Sequence, residues 1–329
     1  MNVLNSVKKS GVQSSPLIRQ NKAKSILIYL LRLIILLSIG FVIIYPLIYM
    51  IITSLRSKAS FMNSARVWIP EDFAVKSNYS VAIDILEYGR AALATFKYQI
   101  ISALLEVATC AIAAYGFARF KFRSKKILTI FLFSTILIPD IMIIIPRVVN
   151  FSRLDFLGIF GLIAKITGAD LRLNILDSGF AFWLPSLFAS GLKSGIIIFI
   201  YMQFFRGLPY ELEEAAWVDG ANPVRTFISI VIPSSGVVIL TTCVFSLIWH
   251  YNDYLLSSMY MNSDYSLAVM LNLMPSRLAT WGYLISPKNP ETMAFLMAAC
   301  VLFVVPMLIV YMILQRWFIE SIDRVGITG

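Results

Sequence analysis

Long apolar runs alternate with short polar stretches along the whole chain. A helix needs roughly 20 mostly apolar residues to cross a bilayer. Six runs meet this requirement: Ser25–Ser54, Tyr98–Phe117, Ile127–Ile145, Phe180–Phe205, Ser234–Met261 and Thr292–Phe318. We therefore expect an all-α polytopic membrane protein with six transmembrane helices. The first run is too long for a signal-peptide core and no small-residue cleavage site follows it, so we expect it to stay as an anchor.

Composition agrees with this pattern and excludes a soluble protein. The 329 residues are 59% apolar and 14% charged, whereas a soluble domain is about 45–50% apolar and 25% charged. Such a chain has too few charges to cover a surface in water, and it is too apolar to be disordered. The cysteines Cys110, Cys243 and Cys300 lie far apart within apolar runs, which favours small core residues over a metal or redox site.

The net charge of +10 sets the orientation. Residues 1–24 contain five basic residues and no acid, and residues 119–126 after the second run are also basic without an acid. Positive charge stays on the cytoplasmic side, so we expect both termini in the cytoplasm of a plasma-membrane protein. The predicted cytoplasmic segments carry +8 of the charge, which removes the need for a nucleic-acid partner. Residues 1–24 form a basic tail, and 25–329 form one six-span domain with a short cytoplasmic C-terminal tail.

The segment 208–233, between the fourth and fifth runs, predicts two short helices. Pro209 suits the first turn of a helix, where its missing N–H costs nothing. The positive end of the helix dipole stabilises acidic side chains in that turn. They are Glu211, Glu213 and Glu214. Gly220 is a natural stop, because glycine readily adopts the left-handed conformation after a helix.

The second short helix is expected from Asn222 onward. Asn222 can cap it, with Pro223 in the first position, and Pro233 ends that helix or bends it into the fifth span. On the first short helix, Leu212, Ala215 and Ala216 are expected to share one face at helical spacing. The small alanines let another protein approach closely. The alternative is a helix lying in the lipid headgroups, but such helices favour Lys and Arg, whereas this one is acidic.

The same stretch carries a recognisable motif. It reads Glu214-Ala215-Ala216, then Gly220, then Ile230-Val231-Ile232-Pro233. This resembles the cytoplasmic signature of permease subunits in binding-protein-dependent ABC importers, with Ile232 in place of leucine as the only departure. Most of the chain is similar to the carbohydrate-uptake branch, and to its maltose-type second permease. The other matching stretches are 114–120, 203–205, 249–254, 315–318 and 326–329. The external segment 152–178 is longer than the family pattern, and residues 321–325 replace a usually glycine-rich stretch.

The resemblance implies a division of labour. In that family the signature helix sits in a cleft of a cytoplasmic ATPase, and ATP-driven closure of two ATPases switches two permeases between inward-facing and outward-facing states. It assigns coupling to Glu214, Ala215, Ala216 and Gly220, and Asp219 and Pro233 complete that group. The implied partners are a second permease, two ATPases, an extracellular solute-binding protein, a sugar and membrane lipid. The sequence has no phosphate-binding loop, so ATP and Mg are expected on the partner ATPases and no cofactor on this chain.

Ionisable residues inside spans are expensive and are candidates for function. Our hypothesis is a sugar path in which Asp253 and Asn252 bond hydroxyls, and Trp249 and Tyr254 offer flat stacking faces. Lys193 and Glu106 are added as further path candidates. The alternative, which we favour, is that Asp253 or Glu106 forms a helix-to-helix contact with Lys193. Asp140, in the outer half of the third span, is expected to reach the interface.

Other classes of function remain as alternatives. An ion-coupled secondary transporter acting alone would use Glu106, Asp140 and Asp253 to carry protons, but it leaves the 208–233 motif unexplained. A membrane-embedded enzyme is disfavoured because no catalytic constellation appears. His250, the only histidine, is expected to be a packed polar residue and not a metal ligand. We therefore expect a permease subunit, not an enzyme, and no metal.

Overall fold

The computed structural model describes residues 16–62, 68–70, 72–155, 158–168, 172–283 and 289–326. The described residues are almost all helical, and within these ranges no β-strand forms beyond two isolated bridges, Arg56 with Phe73 and Leu154 with Leu173. The α-helices are α1 (Pro16–Leu55), α2 (Lys58–Met62), α3 (Val75–Leu86), α4 (Tyr88–Ala94), α5 (Ile101–Arg119), α6 (Lys125–Leu137), α7 (Asp140–Ser152), α8 (Ile159–Thr167), α9 (Phe180–Leu187), α10 (Ser194–Gly207), α11 (Glu211–Val218), α12 (Pro223–Thr226), α13 (Ile232–Ser234), α14 (Gly236–Tyr251), α15 (Leu255–Tyr260), α16 (Leu267–Thr280) and α17 (Glu291–Gly326). Two π-helical stretches, Thr95–Ile100 and Phe227–Val231, continue their neighbouring helices.

Three helices are long and apolar enough to cross a bilayer. They are Lys24–Leu55 within α1, the continuous stretch Tyr88–Arg119 through α4 and α5, and Glu291–Trp317 within α17. They coincide with the predicted spans one, two and six. Helix α1 starts at Pro16, so it includes the last residues assigned to the basic tail, while residues 1–15 lie outside the described ranges.

The predicted third span is two helices. Helices α6 and α7 meet at an angle of 104°. The residue before a proline is pushed out of the helical region, and Ile138 before Pro139 is indeed extended. The prediction of one uninterrupted helix from Ile127 to Ile145 is therefore wrong.

The predicted fourth and fifth spans are also interrupted. Residues 188–193 separate α9 from α10, and residues 252–254 separate α14 from α15. At the first break Lys193 has a φ of +63°, a conformation that costs a side-chain-bearing residue about 1–2 kcal/mol. By length and composition the described residues have three single-helix spans, or up to five if each of two bent pairs counts as one span, namely Lys125–Leu137 with Asp140–Ser152 and Pro223–Ser234 with Gly236–Tyr251. Helix α10 is a shorter apolar helix.

Helix α5 is at the centre of the helical body. It packs against α9, α10 and α14, and its small buried residues allow these neighbours to come close. Those residues are Ala103, Cys110, Ala111 and Ala114. Cys110 is a free core thiol as expected, and Cys243 and Cys300 are free and half-buried.

Helix α1 lies at the edge of the body. Its main partner is α17, with a smaller contact to α3. Most of its apolar side chains are exposed, for example Leu36 at 68% and Val42 at 70%. An apolar surface of this size suits a lipid environment.

Candidate functional site

The segment 208–233 forms the two short helices that its sequence predicts. Helix α11 carries its three glutamates in its first turn. Gly220 then has a φ of +82°, and the Ala221 N–H donates to the Ala216 carbonyl at 2.9 Å, which closes the turn. The expected role of Gly220 as a left-handed stop is confirmed.

The second short helix begins as expected and bends slightly later. The Asn222 side chain accepts a 2.8 Å hydrogen bond from the Arg225 N–H, and Pro223 occupies the first turn of α12. Residues 223–234 continue through the π-helical stretch to Ser234 and meet α14 at 82°. The bend follows Pro233, at Ser235.

One face of α11 is fixed to the helical body. Glu213 is 1% exposed, and its Oε1 lies 2.6 Å from the Arg119 Nε. The N–H is not aimed at the oxygen, so this is an ion pair rather than a hydrogen bond. The Tyr115 hydroxyl donates to Oε2 at 2.9 Å, and the Arg119 Nη2 donates to the Leu208 carbonyl at 2.8 Å. We call Tyr115, Arg119 and Glu213 the α5–α11 clamp.

The opposite face of α11 is open. Glu214, Ala215 and Asp219 are exposed, and Val218 is 88% exposed. Ala216 is different, because it is buried beside Glu213 on the inner face. The expectation that Leu212, Ala215 and Ala216 share one accessible face is therefore wrong, and Ala215 alone offers the small surface.

The six residues predicted along a sugar path do not form one cluster. Glu106 is fully buried in α5. It accepts hydrogen bonds from the Ser194 hydroxyl of α10 and, at 3.0 Å, from the Ser246 hydroxyl of α14. His250 Nδ1 lies 3.6 Å from the same carboxylate and 3.0 Å from the Ser246 carbonyl. A carbonyl only accepts, so Nδ1 carries the proton, and His250 is a packed polar residue as expected.

Lys193 has a different partner from those expected. Its ammonium lies 3.0 Å from the Asp140 carboxylate at the α6–α7 bend. Asp253 instead accepts from the Leu256 and Ser257 N–H groups at 3.1 Å each and so caps α15. The predicted contacts of Lys193 with Asp253 or Glu106 are wrong.

The aromatic and amide candidates are scattered. Trp249 is half-buried and stacks on Phe245 with ring centroids 5.6 Å apart. Tyr254 is 48% exposed, and the exposed Asn252 donates to the Ile248 carbonyl at 2.8 Å. Within the described ranges, no three His, Cys, Asp or Glu side chains come together in a way that would hold a metal ion.

Sequence reasoning missed the α5–α11 clamp. Tyr115 and Arg119 are four residues apart, a spacing that places both on one face of a helix. That spacing, at the end of the second predicted span, was the available signal. Glu213 itself was recognised only as an acid of the first helical turn.

Comparisons with known proteins agree on one family. Residues 107–324 match the family model described as "Binding-protein-dependent transport system inner membrane component". The chain is 27% identical to the sn-glycerol-3-phosphate transport system permease protein UgpE of Pectobacterium atrosepticum, over 71% of this chain and 73% of the relative. It is 23% identical to the melibiose/raffinose/stachyose import permease protein MelC of Bacillus subtilis, over 86% of this chain and 91% of the relative.

A solved structure shares the fold. It is a bacterial ABC transporter involved in the import of the acidic polysaccharide alginate, with a TM-score of 0.66 and 19% identity. The superposition covers 90% of this chain and 98% of that chain.

Proposed function

The chain belongs to the binding-protein-dependent transport system inner membrane component family, and we propose that it forms half of the path by which an ATP-driven importer takes up a sugar. As a member it is a multi-pass permease subunit of an ABC importer and not an enzyme. This assignment replaces the alternative of an ion-coupled transporter acting alone.

The proposal extends to coupling through α11. Its main support is the contrast between the two faces of that helix. The inner face is held by the α5–α11 clamp, while Glu214, Ala215 and Asp219 stay accessible on the outer face. A helix fixed on one side and open on the other can transmit a push to the body as a rigid lever.

We propose the following arrangement around this lever. A cytoplasmic ATPase receives the outer face of α11, with Gly220 and Pro233 setting the turns that present it. Closure of two ATPases, which bind ATP and Mg, moves this chain and a second permease, and an extracellular solute-binding protein delivers the cargo. Both termini are cytoplasmic and the chain crosses the membrane six times, with α10 as the fourth span.

The cargo is proposed to be a sugar, in particular an oligosaccharide. The resemblance to the carbohydrate-uptake branch supports this class, as does the name of the melibiose/raffinose/stachyose permease. Within this chain, Trp249, Asn252 and Tyr254 remain proposed path residues. Asp253 and Glu106 are proposed instead to shape the path through the helices that they hold.

The docking proposal is tested by changing the open face of α11 and the turn that follows it. The full transporter is purified through this chain carrying Glu214→Lys or Gly220→Asp, and the retained ATPase is identified by its ATP hydrolysis and peptide masses. We expect both changes to reduce ATPase retention and uptake. The matched control is Asp84→Lys on α3, an exposed acid away from α11. Normal ATPase retention and uptake in both α11 variants would refute docking.

A further inference from the structure

The basic side chains of the helical body differ in how they are compensated. Five described basic residues are buried or half-buried, namely Arg56, Arg119, Lys125, Arg147 and Arg277. Four of them have a carboxylate, carbonyl or hydroxyl partner: Arg119 has Glu213, Arg277 has Glu87, Arg56 has Ser60, and Lys125 has the Phe120 carbonyl. Arg147 differs from Arg119 and Arg277 in having no carboxylate partner among the described residues, and its partner is the Tyr260 hydroxyl.

Arg147 lies in α7, after the 104° bend, among apolar neighbours in the sequence. Its guanidinium is beside the Tyr260 hydroxyl. Among the described residues, no carboxylate comes within 4 Å of it. A guanidinium that lines a cavity without a close carboxylate can hold an anionic ligand.

Two adjoining cavities open at Arg147. One, of about 250 Å³, lies between the α6–α7 bend and the turn from α9 to α10, and Lys193 and Asp140 line it. The other, of about 430 Å³, continues along α7 to Asn150. Arg147 and Ser190 line both cavities. Together they have the size of a ligand site.

Among the described residues that line these two cavities, Arg147 is the cation without a carboxylate within 4 Å. Lys193 is neutralised by Asp140 at 3.0 Å, and Asp253, which caps α15, lines a narrower third cavity with Arg147 and Tyr260. A guanidinium presents parallel N–H groups that match a carboxylate or phosphate, and Ser190 adds a hydroxyl to the lining of the same cavity.

We propose that Arg147 anchors an anion site, in which its guanidinium holds the carboxylate or phosphate of a bound molecule. That group belongs to an acidic sugar in transit or to a lipid headgroup. Only the sugar source rests on the transport role proposed above, since binding of an anion to α7 is independent of ATPase docking.

A matched set of sugars tests the site. The assembled transporter is placed in nanodiscs of pure phosphatidylcholine, and binding of glucose, glucuronate and glucose 6-phosphate is measured by titration calorimetry. The three differ only at carbon six, as hydroxymethyl, carboxylate and phosphate. In a second arm, part of the lipid is replaced by phosphatidylglycerol and the shift in the unfolding temperature is recorded.

The expected result is selective loss of the anion response. Arg147→Gln weakens binding of the acidic probe by about ten- to hundred-fold, as for loss of a hydrogen bond to a charged group. Arg147→Lys keeps the charge but not the fork, so binding falls less. Arg153→Gln, at the exposed end of α7, leaves binding unchanged. A response in the sugar arm identifies the cargo as the source, and a response in the lipid arm alone identifies the headgroup.

Three outcomes overturn the site. They are an absence of anion preference in both arms for the unaltered protein, an equal loss of glucose and glucuronate binding in Arg147→Gln, and an anion response that appears only after the two permeases are separated. The last would mean that a partner permease neutralises Arg147. Failure of the docking proposal is distinguishable, because Glu214→Lys would then keep its ATPase whatever Arg147 binds.

Discussion

Among the described residues two glutamates are fully buried, Glu213 and Glu106, and they are compensated in opposite ways. Glu213 faces Arg119 at 2.6 Å and a tyrosine hydroxyl. Glu106 has two serine hydroxyls and a histidine at 3.6 Å, and no Lys or Arg side chain of the described residues lies within 4 Å of it. One site uses a full opposite charge, and the other uses dipoles shared among three helices.

The difference corresponds to what each site holds. The α5–α11 clamp fixes a short surface helix that has little other packing, and a close charge pair gives it one defined position. Glu106 joins α5, α10 and α14, which already pack against each other. The hydroxyl contacts of Glu106 therefore add hydrogen bonds between helices whose packing already holds them together.

The largest effect on stability should come from removing one residue of the buried ion pair in the α5–α11 clamp. Glu213→Ala leaves Arg119 buried without its partner, and breaking a buried pair costs about 3–5 kcal/mol. Denaturant unfolding in detergent measures the loss. Glu214→Ala, one residue further on the exposed face, should change stability by less than about 0.5 kcal/mol. Equal effects of the two changes would mean that Glu213 is not a structural anchor.

The packing around Glu106 is tested at Gly191. A Cβ at this position would lie 2.7 Å from the Glu106 Oε1 and 2.9 Å from the Ser186 Oγ. Gly191→Ala should therefore destabilise by about 1–3 kcal/mol, as overpacking does. In the matched Gly116→Ala variant a Cβ meets nothing within 4 Å, so we expect no loss of stability in the same unfolding assay. If Gly191→Ala left the free energy of unfolding unchanged, the Glu106 and Ser186 side chains would be able to move aside without loss of stability.

A smaller effect is expected at the far end of the α11 segment. Asn222→Ala removes the cap of α12 and should cost about 1 kcal/mol, whereas Asn222→Ser, which can also cap, should cost less. Unfolding midpoints of the two variants measure this. If the serine variant were the weaker one, the cap would not be the source of the stability.

The smallest effect is expected at Asp177, an exposed carboxylate. Backbone N–H groups compensate its charge, which is a third way of compensating an acid. N–H groups of Asn262 and Ser263 donate to Asp177 and lower the pKa of its carboxyl below the usual value. A lowered pKa in the folded state means that the stabilisation is present above the unfolded pKa of about 3.9 and is lost as the pH falls below it. Unfolding between pH 5 and 3 should thus be less pH-dependent in Asp177→Asn than in the unaltered chain. An identical pH dependence would exclude this contribution.

The long helices and the turn of the α11 segment could be predicted because their signals are local. The length of an apolar run predicts a span. Gly220 predicts the end of one helix and Asn222 the start of the next, because of their own side-chain and backbone chemistry. The break at Pro139 also has a local cause, although the apolar run through it suggested one helix. The break at Lys193 has a weaker signal, since its left-handed conformation falls on a residue that normally avoids it.

The buried polar partners could not be predicted because they are distant in sequence. Glu106 bonds residues that are 88 and 140 positions away, and nothing in one sequence pairs them. The expected contacts of Lys193 were wrong for the same reason, because the bend at Pro139 brings Asp140 to it. The burial of Ala216 could not be predicted either, because it depends on the α5–α11 clamp, which turns that face of α11 inward.

The packing of α1 against α17 has a consequence for biosynthesis. Residues 56–290 must leave the ribosome after α1 and before its main partner begins to appear. During that interval the described residues of this chain hold α1 through α3 and through Trp68, whose ring packs against Tyr45 and Tyr49. A nascent chain arrested before Glu291 would therefore leave α1 without its main partner, so completion of α17 is the step that packs α1 against the helical body.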